Sequence, residues 1–143
     1  MKIIAFNTIA VISGLFVGSL VNFGIVALGP YVIPYPTGVD MSDVESMQEN
    51  LKLLKPINFL VPFLAHSLGT LAGAAFAART AASHPTALAT VIGLFFLAGG
   101  LAMVSMVGGP PWFVLTDLLL AYLPMSIAGS YLGRPKRRPI SPE

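Results

Sequence analysis

The stretch Ile57–Ala78, INFLVPFLAHSLGTLAGAAFAA, decides the fold. It is apolar, is bounded by Lys55 and Arg79, and carries one ionisable residue, His66, near its middle. Its 22 residues reach roughly 33 Å at a helical rise of about 1.5 Å per residue, enough for a hydrocarbon core of about 30 Å. At about 100° per residue, Asn58, Pro62, His66, Gly69, Thr70, Gly73 and Ala77 fall within one arc of about 120°. Leu60, Leu64, Leu68 and Leu71 gather on the far side. In lipid, small residues let helix backbones approach and polar side chains seek partners across helices. The His66 face therefore reads as inward and the leucine face as lipid-facing. Pro62 is expected to kink the helix early and free the Asn58 carbonyl.

Composition supports a membrane setting for the whole chain. Of 143 residues, 55% are hydrophobic and 10% charged, against about 25% charged in ordinary soluble domains. The mean hydropathy is +0.81. With no cysteine, disulfides, thiolate nucleophiles and cysteine-based metal sites are excluded. The pI of 9.2 reflects a local basic tail, so no nucleic-acid partner is expected.

Working outward, Ile3–Leu28 reads as an uncleaved first transmembrane helix, since its apolar run exceeds the about 7–15 residues of a signal-peptide core. Asn7, Val11, Gly14, Gly18, Asn22 and Ile25 share one face, with Gly14 and Gly18 in a GxxxG spacing. Gly29-Pro30 is expected to end this helix. Tyr31 and Tyr35 suit a membrane–water interface, and Pro34 and Pro36 keep the chain extended. Met41–Leu54 reads as a short amphipathic interfacial helix: Val44, Met47, Leu51 and Leu54 recur at helical intervals, and Ser42 and Glu45 have capping-box spacing. The third span is Leu88–Val107. A Gly108-Gly109-Pro110-Pro111 turn leads to the fourth, Trp112–Leu132, with Asp117 near its start, Pro124 mid-span and a second GxxxG pair, Gly129 and Gly133. The tail, residues 133–143, carries Arg134, Lys136, Arg137 and Arg138, suited to fixing topology and to contact with anionic lipid headgroups.

The positive residues set the orientation. Lys2, Arg79 and the tail cluster fall on one side, whereas the Pro30–Pro56 loop holds four acids against Lys52 and Lys55. Four spans with both termini in the cytoplasm satisfy the positive-inside rule. The expected fold is an all-α integral membrane protein: one four-transmembrane-helix bundle over residues 1–143, with an amphipathic helix in the first extracytoplasmic loop. Its compactness and topology suggest a bacterial inner membrane.

The bundle also reads as two tandem helical hairpins. At an offset of 59 residues, Asn58–Leu68 (NFLVPFLAHSL) matches Asp117–Ile127 (DLLLAYLPMSI) with Leu60/Leu119, Leu64/Leu123 and Ser67/Ser126 identical. Such a repeat would carry a pseudo-twofold along the membrane normal. The alternative is that apolar helices resemble one another by composition.

The candidate polar site comprises Asn22, Asn58, His66, Thr70 and Asp117. Asn22, His66 and Asp117 lie at depths of roughly 8–14 Å from the outer surface, and His66 is paired with Asp117. Ionisable residues at membrane depth are costly and default to functional hypotheses. A structural reading stands beside this one: His66 bonds to Asn22, Ser67 or a backbone carbonyl and fixes packing, and Asp117 sits hydrated near Trp112.

Recognisable catalytic chemistry is missing. The sequence holds no HExxH, Walker loop, GxSxG, Gly-rich dinucleotide motif or CxxCH. Ser67 lies about 100° around the helix from His66, which disfavours an activated nucleophile. His66 and His84 are too far apart vertically to share a metal. An enzyme is disfavoured, and no cofactor or metal is expected. The leading expectation is an oligomeric or accessory subunit of a membrane complex, in contact with lipid and with copies of itself or larger partners. The alternative is a small homo-oligomeric transporter or channel, with His66 and Asp117 lining its polar path.

Overall fold

In a computed structural model, residues 1–134 form six α-helices and two short 3-10 turns, with no strand among the described residues. Of the basic cluster, Arg134 belongs to this part, while Lys136, Arg137 and Arg138 lie outside the described residues. The helices are α1 (Lys2–Val32), α2 (Val44–Asn50), α3 (Leu60–Thr80), α4 (Pro85–Val107), α5 (Pro111–Leu120) and α6 (Leu123–Gly133). Four helical segments are long and apolar enough to cross a membrane: Lys2–Val32, Pro56–Thr80, Pro85–Val107 and Pro111–Gly133.

The central helix is α3, which packs along α1, α4 and α6. Its neighbours approach so closely because small residues face each other. A Cβ on Gly14 would lie 2.8 Å from the Gly73 carbonyl oxygen, and one on Gly18 would lie 2.7 Å from that of Gly69. Backbone therefore touches backbone along the α1–α3 seam, which maximises dispersion contact. The second glycine pair does the same on the other side, where a Cβ on Gly129 would meet the Leu71 carbonyl oxygen at 2.6 Å. The buried core is correspondingly small, with Ala74, Ala77, Ala78, Ala89 and Ile92 at its centre. Large apolar side chains lie outside: Phe16, Leu20 and Phe23 on α1, Leu94 and Phe95 on α4, Leu115 and Leu119 on α5. A protein folded in water buries such residues first.

Several boundaries depart from the sequence reading. The first helix does not end at Leu28; it continues through Pro30 to Val32. Proline lacks the N–H that would bond one turn back, but this costs one bond near the helix end, and the Ile33 N–H still donates to the Gly29 carbonyl at 2.8 Å. Gly29 admits the Val61 side chain of α3, which secures this last turn. Pro62 likewise lies in the first turn of α3, after the 3-10 turn Pro56–Phe59, and leaves that helix unbroken. The third span begins at Pro85, with His84 as its N-cap in the left-handed region at φ 51°.

The surface helix is shorter than Met41–Leu54. It covers Val44–Asn50 and tightens into a 3-10 turn at Leu51–Leu53. Its cap is Asp43 and not Ser42: the Asp43 carboxylate accepts from the Ser46 N–H at 2.8 Å. That bond holds the Asp43 carboxyl below its ordinary value of 3.8. The Gln48 amide donates to the Met106 carbonyl and ties α2 to the end of α4.

The fourth span is the largest correction. It is not one helix over Trp112–Leu132 but two, interrupted at Ala121–Tyr122. Pro124 cannot donate to the Leu120 carbonyl, and its ring crowds that position. α5 therefore closes with the Ala121 N–H on Asp117 at 2.9 Å, and α6 opens with the Ser126 N–H on Tyr122 at 2.8 Å. Proline is well placed in the first turn of the new helix.

Candidate functional site

The break in the fourth span builds the site. On an uninterrupted helix Asp117 and Tyr122 would point about 140° apart. At the interruption Tyr122 adopts φ −114°, ψ −80°, and its side chain turns inward until it is 1% exposed. Its hydroxyl donates to Asp117 Oδ2 at 2.8 Å. Gly100 of α4 makes room, since a Cβ there would collide with the Tyr122 ring and hydroxyl.

His66 completes the cluster from α3. Its Nδ1 lies 2.9 Å from both carboxylate oxygens of Asp117 and 3.0 Å from the Tyr122 hydroxyl. The two rings stack, with centroids 5.6 Å apart and planes at 29°. Nδ1 is therefore engaged by Asp117 and Tyr122, and Nε2 is the ring nitrogen left for other chemistry. Asp117 is buried, with a side chain 4% exposed, whereas the His66 side chain is 22% exposed.

His66 borders a cavity of about 270 Å³. α1 contributes Ser19 and Asn22 to its wall, α4 contributes Phe95, Phe96, Gly99, Gly100 and Met103, and Tyr122 lines it as well. Among the described residues, neither the Asn22 amide nor His66 Nε2 has a protein hydrogen-bond partner, and neither is a fully buried orphan. The cavity thus combines aromatic and thioether walls with a few unused polar groups, the usual composition of a small-molecule site.

The five residues singled out in the sequence separate into three situations. His66 and Asp117 are in direct contact, and Asn22 shares their cavity. Asn58 is elsewhere: its Oδ1 accepts from the Lys55 N–H at 3.0 Å and its Nδ2 donates to the Pro34 carbonyl at 3.0 Å. It fastens the loop before α3 and has no further capacity aimed at the site. Thr70 lies one turn along α3 from His66, fully buried, and its Oγ1 has no hydrogen-bond partner among the described residues. Ser67 donates to the Phe63 carbonyl at 2.6 Å and makes no bond to His66. Arg134 donates to Thr86 Oγ1 and stacks over the Tyr131 ring at 4.9 Å. Among the described residues, no cluster of three or more His, Asp or Glu side chains could hold a metal ion.

Tyr122 is the residue the sequence reading missed. The signal was Pro124: a proline two positions after a tyrosine in an apolar run marks a helix restart that can turn the tyrosine out of register. Compared with known proteins, the chain matches no family, no curated sequence and no solved structure.

Proposed function

We propose that this protein is a small integral membrane carrier that works as a homo-oligomer, with His66, Asp117 and Tyr122 as its polar site within the bilayer. The single observation behind this reading is the placement of His66. Its Nδ1 is engaged by a buried carboxylate, and the residue borders a cavity beside a broken helix. Interrupted helices at membrane depth characterise carriers, because the break presents polar groups to a solute. The four apolar segments would form a bundle across a bacterial inner membrane with cytoplasmic termini, in keeping with Lys2 and Arg79 on one side and the acidic Asp40–Glu49 stretch on the other. Four spans enclose little space on their own, so a second copy would complete the path. The alternation of tandem hairpins proposed from sequence fits such a carrier, although the break at Tyr122 has no counterpart at Pro62.

The test is transport in liposomes loaded with a pH-sensitive dye. Candidate solutes are added outside, grouped as amines, carboxylic acids and neutral compounds. The expected result is solute-dependent proton movement that His66→Ala abolishes while helix content is retained. Equal proton movement in that variant would sink the carrier reading.

A second reading, an accessory subunit of a larger complex, draws on the apolar outer face of α1, where Ile12, Phe16, Leu20 and Phe23 are exposed. Native mass spectrometry of gently purified protein separates the two, since a co-purifying larger membrane protein supports the subunit reading and a clean homo-oligomer the carrier.

A further inference from the structure

The chemistry of the cavity specifies what it takes. His66 Nδ1 and the Tyr122 hydroxyl both lie against the Asp117 carboxylate. An ionised carboxylate only accepts hydrogen bonds, so with Asp117 ionised both groups donate to it and keep their protons. The one proton that can leave without breaking this network is the one on Nε2 of His66, a residue that lines the cavity. With Nε2 protonated the His66–Asp117 pair is neutral overall; with Nε2 bare the site carries one negative charge. Among the described residues, no other element lining the cavity supplies a counter-charge: α1 brings Ser19 and Asn22, and α4 brings aromatic, glycine and methionine residues. A lone negative charge in an apolar setting is costly, so the deprotonated site demands a cation.

We infer that the cavity binds a small organic ammonium ion and that each ion bound displaces the Nε2 proton, making the site a proton–organic cation exchanger. This rests on the carrier reading and names its substrate class. The exchange balances: the imidazolium loses its Nε2 proton to water, the ammonium enters with its charge, and the site is neutral in both loaded states. Bare Nε2 accepts from the ammonium N–H, and the Asn22 carbonyl oxygen offers a second acceptor. The Phe95 and Phe96 rings, with centroids 6.4 Å apart, supply the apolar body of the site and cation–π attraction. A hard metal cation asks for about six oxygen ligands, which this wall does not offer.

The experiment uses benzylammonium as probe and benzyl alcohol as its uncharged isostere, titrated into purified protein in weakly buffered detergent. Calorimetry and a pH indicator are read together. Benzylammonium is expected to bind with release of about one proton at acid pH, its affinity weakening about tenfold per pH unit on that limb. Benzyl alcohol is expected to bind at least tenfold more weakly and to release no proton. Gly99→Leu provides a block that spares the fold, because Gly99 borders the cavity and a Cβ there meets nothing within 4 Å. It is expected to abolish binding while thermal stability stays unchanged. Equal binding of both probes, lost in Gly99→Leu, overturns the cation class and leaves the site standing. Benzylammonium binding without proton release, or persisting in Gly99→Leu, overturns the exchange. No binding of either probe overturns the exchange, while the carrier reading stands or falls with the liposome transport test.

Discussion

Asn7 and Asn22 share one face of α1, 15 residues apart, and use their amides in opposite ways. The Asn7 side-chain oxygen accepts from the Ala82 N–H at 3.0 Å and the Ser83 N–H at 3.2 Å, while its nitrogen donates to Ser83 Oγ at 3.0 Å. It clasps the α3–α4 loop to α1, next to the left-handed turn at His84. About 22 Å further along the helix, Asn22 has no hydrogen-bond partner among the described residues and borders the cavity beside His66. A helical wheel treats the two alike. The difference is saturation: a polar side chain whose bonds are all made within the chain holds the fold, and one left open beside a cavity is available to a ligand. Asn58 belongs with Asn7 on this criterion.

The largest effect is expected from Asp117→Ala, which leaves His66 Nδ1 and the Tyr122 hydroxyl without their shared acceptor. Breaking a buried charged pair typically costs about 3–5 kcal/mol, whereas polar pairs between membrane helices average only about 0.6 kcal/mol. The burial of Asp117 and its two donors place this variant toward the upper figure, about 3 kcal/mol. Unfolding in mixed micelles checks it, and a loss no larger than the membrane average would show that the cluster does not hold the fourth span in its broken form. Next comes Gly18→Leu. Its side chain would be forced against the Gly69 carbonyl and the Phe96 ring, with an expected loss of about 2 kcal/mol from overpacking. An unchanged melting temperature would mean that the α1–α3 seam is looser than its backbone contacts imply.

The two asparagines of α1 should respond differently to truncation. Asn7→Ala leaves the loop N–H groups of Ala82 and Ser83 without their acceptor and should cost about 1–2 kcal/mol, with probe binding unaffected. Asn22→Ala should leave stability within about 0.5 kcal/mol and lower probe affinity about tenfold. Equal destabilisation by both would remove the distinction drawn here. The smallest effect belongs to Thr70→Val. Its hydroxyl is buried and unpartnered, and exchanging it for a methyl of the same shape should be neutral or stabilising by up to about 1 kcal/mol. A loss of binding in that variant, measured by the same titration, would return Thr70 to the site.

Much of the helical layout was legible because it depends on run length and composition. Four apolar stretches, their order and the small-residue face of the central helix need no knowledge of tertiary contacts. The leucine face is a case in point, since Leu60, Leu64 and Leu68 are exposed while Gly69, Thr70 and Gly73 are buried. Pairing His66 with Asp117 needed only their depths and the absence of other charges nearby. What was not legible depends on specific partners. Hydropathy cannot distinguish a proline tolerated in a terminal turn, as at Pro30 and Pro62, from one that splits a span, as at Pro124. Nor can it show that Asn58 is consumed by a carbonyl 24 residues away, or that Asp43 outcompetes Ser42 for the cap of α2. Tyr122 stayed hidden for the same reason: its inward turn exists only because the helix stops just before it.

The most direct measurement is nitrogen NMR of the protein labelled in its two histidines, His66 and His84, as a function of pH and of added benzylammonium. His66 Nδ1 should stay protonated and hydrogen-bonded as the probe is added, with that signature lost in Asp117→Ala, which has no acceptor at this position. Nε2 should lose its proton when the probe binds. A proton lost from Nδ1 on binding, or a His66 spectrum indifferent to Asp117→Ala, would contradict the pairing of His66 with Asp117 and the exchange built on it.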